Sequence, residues 1–230
     1  MSDRRKPVTD RSAWTAEDMA KDRSWLLSLN EGQVSDLEKA LANVRGKAFG
    51  EITREDFPLP TMTDLLRKLQ DEIRDGRGFA TLGGLPTHFD YPDLERIFWG
   101  ISMHLGVGVT QNSETGLIHY ITDGALAPKD GARILGKPRP SKLHVDLSDV
   151  VGLFCVKQAP DNPMSLVASS MTVYNEILAH HPEYLPRLEE GFYWNRKGPH
   201  ESEKSHSEFK VPAWSAVNDI VSCRFHSGWI

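Results

Sequence analysis

The stretch KLHVDLSDVVGLFCV, residues 142–156, decides how the fold of this chain is interpreted. Side chains alternate sides along an extended strand, so His144 and Asp146 share one side while their apolar neighbours share the other. Residues 150–156 are apolar and rich in β-branched side chains, which predicts a strand that is buried on both faces. The pattern therefore predicts an imidazole and a carboxylate at the edge of a buried sheet, where the two groups can bind one metal ion.

A second pair with the same spacing, His88 and Asp90, shows that the spacing alone carries little weight. A chain of this composition is expected to contain such a pair about 0.7 times by chance. Asp90 lies just before Pro92 at the predicted start of a helix, where its carboxylate is better explained as a helix cap. We keep His144 and Asp146 as the candidate ligands, because a charged pair that opens a buried strand is costly without a cation.

Composition bounds the class of protein. The 230 residues, 39% of them hydrophobic, predict one substantial core, and the net charge of -5 argues against a nucleic-acid partner. The two cysteines, of which Cys155 falls in the apolar stretch, fit a reducing compartment in which a thiol acts as a small hydrophobe. The sequence has no apolar run of membrane-spanning length, and we expect a cytoplasmic protein without a membrane partner.

The order of the predicted elements favours an α+β chain with a mostly β core. Helices are predicted over residues 14–29, 34–44, 62–74 and 90–105, and later from residues 169 and 181. Strands are predicted over residues 78–82, 107–110, 117–121, 132–135, 142–156, 165–168, 191–195 and 221–225. Short strands at this spacing indicate an antiparallel sandwich or barrel behind a helical start.

Nucleotide-binding motifs are not supported. Residues 131–137, GARILGK, match the first seven positions of a phosphate-binding loop, but Pro138 stands where that loop needs a Ser or Thr hydroxyl. A G-x-G-x-x-G fingerprint is also missing from the sequence, so a dinucleotide-binding fold has no support. The candidate chemistry therefore stays with the histidine and aspartate pair.

Several stretches occur in the order typical of one family. They are GRGF at 76–79, GGLP at 83–86, HLG at 104–106, QN at 111–112, HVD at 144–146, DVVGLFC at 149–155 and SLVASSMTVYN at 165–175. Together they resemble the TauD/TfdA-like (taurine dioxygenase) group of iron- and 2-oxoglutarate-dependent oxygenases, over roughly residues 50–230. The resemblance rests on several stretches that occur in the right order, and not on one triplet of residues.

The resemblance implies a double-stranded β-helix, the clavaminate synthase-like jelly roll, with N-terminal and inserted helices. Residues 1–50 are then an N-terminal helical extension, and residues 51–230 are the oxygenase domain. The implied chemistry uses Fe(II) bound by two histidines and one carboxylate, with 2-oxoglutarate and O2 as cosubstrates. It oxidises a small-molecule substrate and releases succinate and CO2.

The resemblance also assigns roles to individual residues. His144 and Asp146 would be catalytic metal ligands, Ser165 would contact 2-oxoglutarate, and Gln111 and Asn112 would face the substrate pocket. The second metal histidine and the 2-oxoglutarate-binding arginine of the family normally lie farther downstream. We therefore expect the C-terminal part of the jelly roll to be missing from this chain.

Three interpretations remain open at this point. The first is the oxygenase, and the second is a catalytically inactive jelly-roll binding protein, or fragment, that has lost the distal histidine and arginine. The third is a metal site completed by another chain or by His200, His206 or His226, of which His226 is a poor candidate by position. The sequence also leaves a homo-oligomer open and does not predict which small molecule is the substrate.

Overall fold

The computed structural model describes residues 5–111, 116–121, 142–158, 160, 164–195 and 205–230 of the chain. Within these ranges the α-helices are α1 (Ala16–Lys21), α2 (Glu31–Val44), α3 (Thr63–Arg74), α4 (Tyr91–Ser102), α5 (Ser170–His180) and α6 (Leu185–Glu190). Short 3-10 turns occur at Phe49–Glu51, Pro60–Met62 and Pro182–Tyr184.

The strands of the described residues form small two-stranded sheets. The pairs are β1 (Leu26–Ser28) parallel to β2 (Thr81–Gly83), β3 (Phe192–Asn195) antiparallel to β4 (His206–Val211), and β5 (Trp214–Val217) antiparallel to β6 (Ile220–Cys223). Asn218 and Asp219 join β5 to β6 with positive φ angles of 51° and 63°, as a two-residue hairpin turn of the I′ type requires. The chain is therefore α+β with small sheets.

The three long helices of the first half form where the sequence predicts them, and two of them carry side-chain caps. Asn30 caps α2 in a reciprocal capping box with Gln33, and Asp90 caps α4 by accepting a hydrogen bond from the backbone N–H of Asp93. The helix α3 has no side-chain cap at its start. Met62 occupies the cap position without a side-chain hydrogen bond, because the preceding 3-10 turn runs straight into the helix.

Two hydrophobic clusters stabilise the fold. The first packs α2, α3 and α4 against the loops around residues 49–62, and the second packs α5 and α6 against the β5–β6 hairpin. The centre of the first cluster is the fully buried ring of Phe57, while the indole of Trp99 donates a hydrogen bond of 3.1 Å to the Ile52 carbonyl. Burial of these apolar side chains supplies the main driving force for the two halves separately.

The N-terminal segment (residues 5–15) ties the second cluster to the first. Asn175 of α5 makes two hydrogen bonds to the backbone of Val8. Its Oδ1 accepts from the Val8 N–H at 2.8 Å, and its Nδ2 donates to the Val8 carbonyl at 2.7 Å. The Ser169 hydroxyl donates to the Ser12 carbonyl at 2.6 Å. Backbone groups of an otherwise irregular segment thus obtain the partners that buried backbone requires.

At the other end of the N-terminal segment, an ion-pair network centred on the buried side chains of Glu72 and Arg77 fixes it to α3. Glu72 accepts hydrogen bonds from Arg77 and from Arg11, and Arg77 also pairs with Asp22. Burial alone would raise the pKa of the Glu72 carboxyl, but the hydrogen bonds from Arg77 and Arg11 outweigh burial and hold that pKa below its usual value. The network is therefore ionised and paired at neutral pH.

Several predicted strands are not present. Residues 107–110, 117–121, 142–156 and 165–168 form no strand, and residues 132–135 lie outside the described residues. The expected buried strand at residues 150–156 is wrong: Val150 and Leu153 are 48% and 76% exposed, and Cys155 is exposed as well. The physical reason is that, in the described part of the chain, no neighbouring strand pairs with this stretch, and β propensity without a partner gives only extended backbone.

The predicted helix over residues 14–29 is only partly confirmed. The helix α1 begins after Thr15, which forms a capping box with Asp18, and ends at Lys21. Residues 26–28 instead pair with β2, so tertiary hydrogen bonding overrides the local helical pattern. In the described part of the chain, every helix is too short or too polar to cross a membrane.

Replacement of Asn175 by alanine tests the tie between the N-terminal segment and α5. The variant loses two hydrogen bonds to Val8 and should lower the free energy of unfolding by about 1–3 kcal/mol, measured by urea denaturation. The neighbouring exposed Glu176→Ala is the control and should change it by less than about 0.5 kcal/mol. Equal stabilities of the two variants would contradict the role given to Asn175.

Replacement of Gly100 by alanine tests the packing of the first hydrophobic cluster. A Cβ atom at Gly100 would overlap the Phe57 ring, so Gly100→Ala should destabilise the protein by about 1–3 kcal/mol. Gly46→Ala is the matched control, since a Cβ there meets no heavy atom within 4 Å and should shift stability little. A thermal melt of both variants measures the difference, and a melting temperature of Gly100→Ala at or above that of the wild type would refute this packing.

Candidate functional site

The structure places the side chains of His144 and Asp146 together, on the same side of an extended segment. His144 Nε2 lies 3.5 Å from Asp146 Oδ1. The two side chains retain 29% and 52% of their exposure, so the pair is open to solvent and to small molecules. An extended backbone without a ladder is enough to bring an i and i+2 pair to one side.

The imidazole of His144 is oriented by its own backbone. Its Nδ1 lies 2.7 Å from the Lys142 carbonyl, which can only accept, so Nδ1 carries the proton and donates it. In the neutral ring the lone pair is then on Nε2, the atom that faces Asp146. Metal-binding histidines commonly have this arrangement, with one nitrogen hydrogen-bonded to a carbonyl and the other directed at the metal.

The distance between the two donor atoms is close to what one metal ion needs. Two donors at about 2.1 Å from an ion and about 90–110° apart are separated by about 3.0–3.4 Å. The observed 3.5 Å therefore fits two ligands of one ion after a small side-chain movement. Across the described ranges, no group of three His, Cys, Asp or Glu side chains is placed to hold a metal ion, so this pair alone would be an incomplete coordination shell.

A turn near the end of the chain supports this segment. The Val145 N–H donates a hydrogen bond of 2.8 Å to the Phe225 carbonyl, which attaches the segment with His144 to the turn at residues 226–229. The imidazole of His226 lies against that of His144, with ring centroids 4.6 Å apart and planes at 46°. The structure thus brings His226 next to the candidate ligands.

The other predicted site residues are not brought to the pair by the contacts described. Ser165 is exposed in the extended segment before α5. The Gln111 side-chain amide donates to the Val109 carbonyl at 3.0 Å, which ties it to its own loop. His206 lies in β4, where its Nδ1 is 2.8 Å from the Ser205 hydroxyl. Asn112 and His200 lie outside the described residues.

A large cleft is present elsewhere, between the N-terminal segment, the end of α3, the start of α5 and the β5–β6 hairpin. Its volume is about 1800 Å³, and Trp14, Arg77, Tyr174 and Trp214 contribute to its walls. Neither His144 nor Asp146 lines this cleft, and the described residues of its lining include no histidine. We therefore place the candidate chemistry at the histidine and aspartate pair rather than in this cleft.

The expectation that Cys155 is a buried, small hydrophobe is wrong, and the other cysteine is the more buried one. Cys155 is exposed, whereas Cys223 packs against the second hydrophobic cluster. Burial raises the pKa of the Cys223 thiol to about 11, so that side chain stays protonated and unreactive at neutral pH. Neither cysteine belongs to the candidate site.

Comparison with known proteins places the chain in one group. The sequence model of the family described as "Taurine catabolism dioxygenase TauD, TfdA family" matches residues 40–221. The matched range includes His144 and Asp146 and most of the described second half. It excludes the turn at residues 226–229. The contact between His144 and His226 is therefore a finding of the structure and not of the family comparison.

Two curated relatives are similar along most of the chain. The protein "FR-33289 synthase" of Streptomyces rubellomurinus is 26% identical over 226 residues, which are 96% of this chain and 66% of that protein. The "Taurine hydroxylase-like protein SAT17" of Stachybotrys chartarum is 28% identical over 201 residues, which are 82% of this chain and 52% of that protein. The chain thus spans between about half and about two thirds of the length of these relatives.

A comparison of two histidines tests the assignment of the metal pair. His144→Ala removes the oriented Nε2 donor and should lower the affinity for Mn(II), measured by titration calorimetry, by more than about 10-fold. His88→Ala is the matched control, because it precedes an aspartate at the same spacing but that aspartate caps α4. An equal loss of affinity in both variants, or none in His144→Ala, would exclude His144 as a ligand.

Proposed function

The chain belongs to the TauD, TfdA family, and from this premise we propose that it is an Fe(II)- and 2-oxoglutarate-dependent oxygenase that oxidises a small molecule. The observation that carries the proposal is the oriented pair of His144 and Asp146, one imidazole and one carboxylate with donor atoms 3.5 Å apart. Such a pair is two of the three protein ligands in the sites of two histidines and one carboxylate that bind non-haem iron. We also propose that residues 51–230 belong to a jelly-roll domain, as the family implies.

The donor types at the site suit Fe(II). A neutral imidazole and a carboxylate are ligands that this ion accepts, and few protein ligands leave positions for a chelating 2-oxo acid and O2. When bound, the iron and 2-oxoglutarate would supply the oxidising chemistry, with succinate and CO2 as the products. The part of His144 is to present the Nε2 lone pair, which the hydrogen bond from Nδ1–H to the Lys142 carbonyl makes available.

Asp146 would have an electrostatic role in addition to metal ligation. Its carboxylate brings a negative charge to within 3.5 Å of His144 Nε2, and this charge would offset the charge of a divalent cation. Both side chains are partly exposed, so water must be displaced or excluded when substrate binds. Ser165 remains a proposed contact for 2-oxoglutarate, and Gln111 and Asn112 remain proposed pocket residues.

The substrate class follows from the site only in general terms. The open position of the pair admits a small molecule, and the names of the relatives describe a synthase and a taurine hydroxylase-like protein. We propose a small organic substrate whose C–H bond is oxidised. The absence of a three-ligand cluster among the described residues favours the second candidate, a non-catalytic binding protein of the same family.

Succinate release tests the proposed activity and separates the two candidates. The protein incubated aerobically with Fe(II), ascorbate and 2-oxoglutarate should release succinate, and Asp146→Ala should lose this release by more than about 10-fold because the carboxylate ligand is gone. Asp149→Ala, an exposed aspartate three residues farther along, is the matched control and should keep it. Mn(II) binding by a protein that releases no succinate would support the non-catalytic candidate and overturn the oxygenase.

A further inference from the structure

The segment that carries His144 is exposed and forms no strand, so its geometry depends on what touches it. The hydrogen bond from the Val145 N–H to the Phe225 carbonyl fixes the backbone next to the turn at residues 226–229. A backbone hydrogen bond of this kind places the residue but does not set the rotation of its ring. The second torsion of a histidine is broad and roughly two-fold. The hydrogen bond from His144 Nδ1 to the Lys142 carbonyl sets which way the ring turns, and a contact on the ring would restrict its rotation further.

The turn itself is well anchored. The Trp229 N–H donates to the His226 carbonyl at 2.9 Å, and the Trp229 carbonyl accepts from the Asn195 N–H of β3 at 2.6 Å. The ring of Trp229 lies 6.2 Å from that of Trp194, which is buried. The edge of the turn that faces His144 is thereby held by a strand and by aromatic packing.

The ring of His226 is the part of this turn that reaches His144. Its centroid is 4.6 Å from that of His144, and the ring of Trp229 lies 6.0 Å from it at an interplanar angle of 80°. His226 is thus in contact with both the tryptophan and the candidate ligand. An aromatic neighbour at this distance restricts the rotation of the His144 ring about its second torsion.

The hydrogen bonding of His226 argues against a ligand role for it. The Gly228 N–H donates to His226 Nδ1 at 3.1 Å, so Nδ1 is an acceptor and the proton of the neutral ring is on Nε2. A protonated Nε2 has no lone pair for a metal ion.

We propose that His226 is a positioning residue for the metal pair: its ring packs on the His144 imidazole and keeps His144 Nε2 directed at Asp146. This inference rests on the proposed function in taking His144 as a ligand. It adds a residue that lies beyond the range matched by the family and that the sequence marks only as a poor ligand candidate. What the role requires of residue 226 is an aromatic ring, not a nitrogen donor.

Two substitutions separate positioning from ligation. His226→Ala removes the ring and should weaken Mn(II) binding about 10–100-fold, the usual loss when a group that orients a ligand is removed. His226→Phe keeps the ring without any nitrogen and should bind Mn(II) within about 3-fold of the wild type. His206→Ala, an exposed histidine in β4, is the control for loss of a histidine in general.

The outcomes are distinct. Equal weakening by His226→Phe and His226→Ala would overturn the proposal, since the nitrogen would then be needed, and so would wild-type affinity in His226→Ala. Urea denaturation of each variant shows whether the fold is intact. A wild-type protein that binds no Mn(II) would contradict the proposed function instead of the positioning role.

A measurement on the metal-free protein tests the positioning role of His226 separately from the proposed function. In the metal-free protein the ring protons of His144 should show a ring-current shift in the NMR spectrum, and His226→Ala should abolish it while His226→Phe retains a shift. Long-range ¹H–¹⁵N spectra should place the His144 proton on Nδ1 in the wild type. Unchanged His144 resonances in His226→Ala would refute the packing and with it the positioning role.

Discussion

The hydrogen bond between the Val145 N–H and the Phe225 carbonyl is the contact on which the candidate site depends. It joins an extended segment, which forms no strand with any described residue, to a turn that β3 and two tryptophans hold in place. Extended backbone outside a sheet has many conformations of similar energy, and fixing it costs conformational entropy. One hydrogen bond and the ring contact beside it select the conformation in which His144 and Asp146 face each other.

The N-terminal segment is a second irregular stretch whose conformation is fixed by contacts with the rest of the molecule. The two hydrophobic clusters are separate, and each is stabilised by its own helices. The N-terminal segment contacts both through side-chain hydrogen bonds to its backbone and through the Glu72 network. Asn175 and Glu72, whose side chains each make two hydrogen bonds, thus help to connect the two clusters. In other α+β proteins a continuous sheet makes this connection.

The sequence predicts the local features well and the long-range pairing poorly. The helices α2, α4 and α5 follow from their apolar periodicity, and the cap of α4 by Asp90 follows from the sequence because capping is decided within a few residues. The burial of residues 150–156 is predicted wrongly, because burial depends on which strands lie alongside. The pairing of His144 with Asp146 needs only the alternation of an extended chain, whereas the approach of His226 from 82 residues away carries no signal in spacing.

The exposed stretch VVGLFCV at residues 150–156 has a consequence for how the protein behaves in solution. It combines β-branched and aromatic residues with no charge and no proline, the composition from which intermolecular sheets nucleate. Asp149 and Lys157 flank it and act as charged gatekeepers that oppose the stacking of identical chains. Salt screens these two charges, so we expect the stretch to associate with identical chains more readily at high ionic strength.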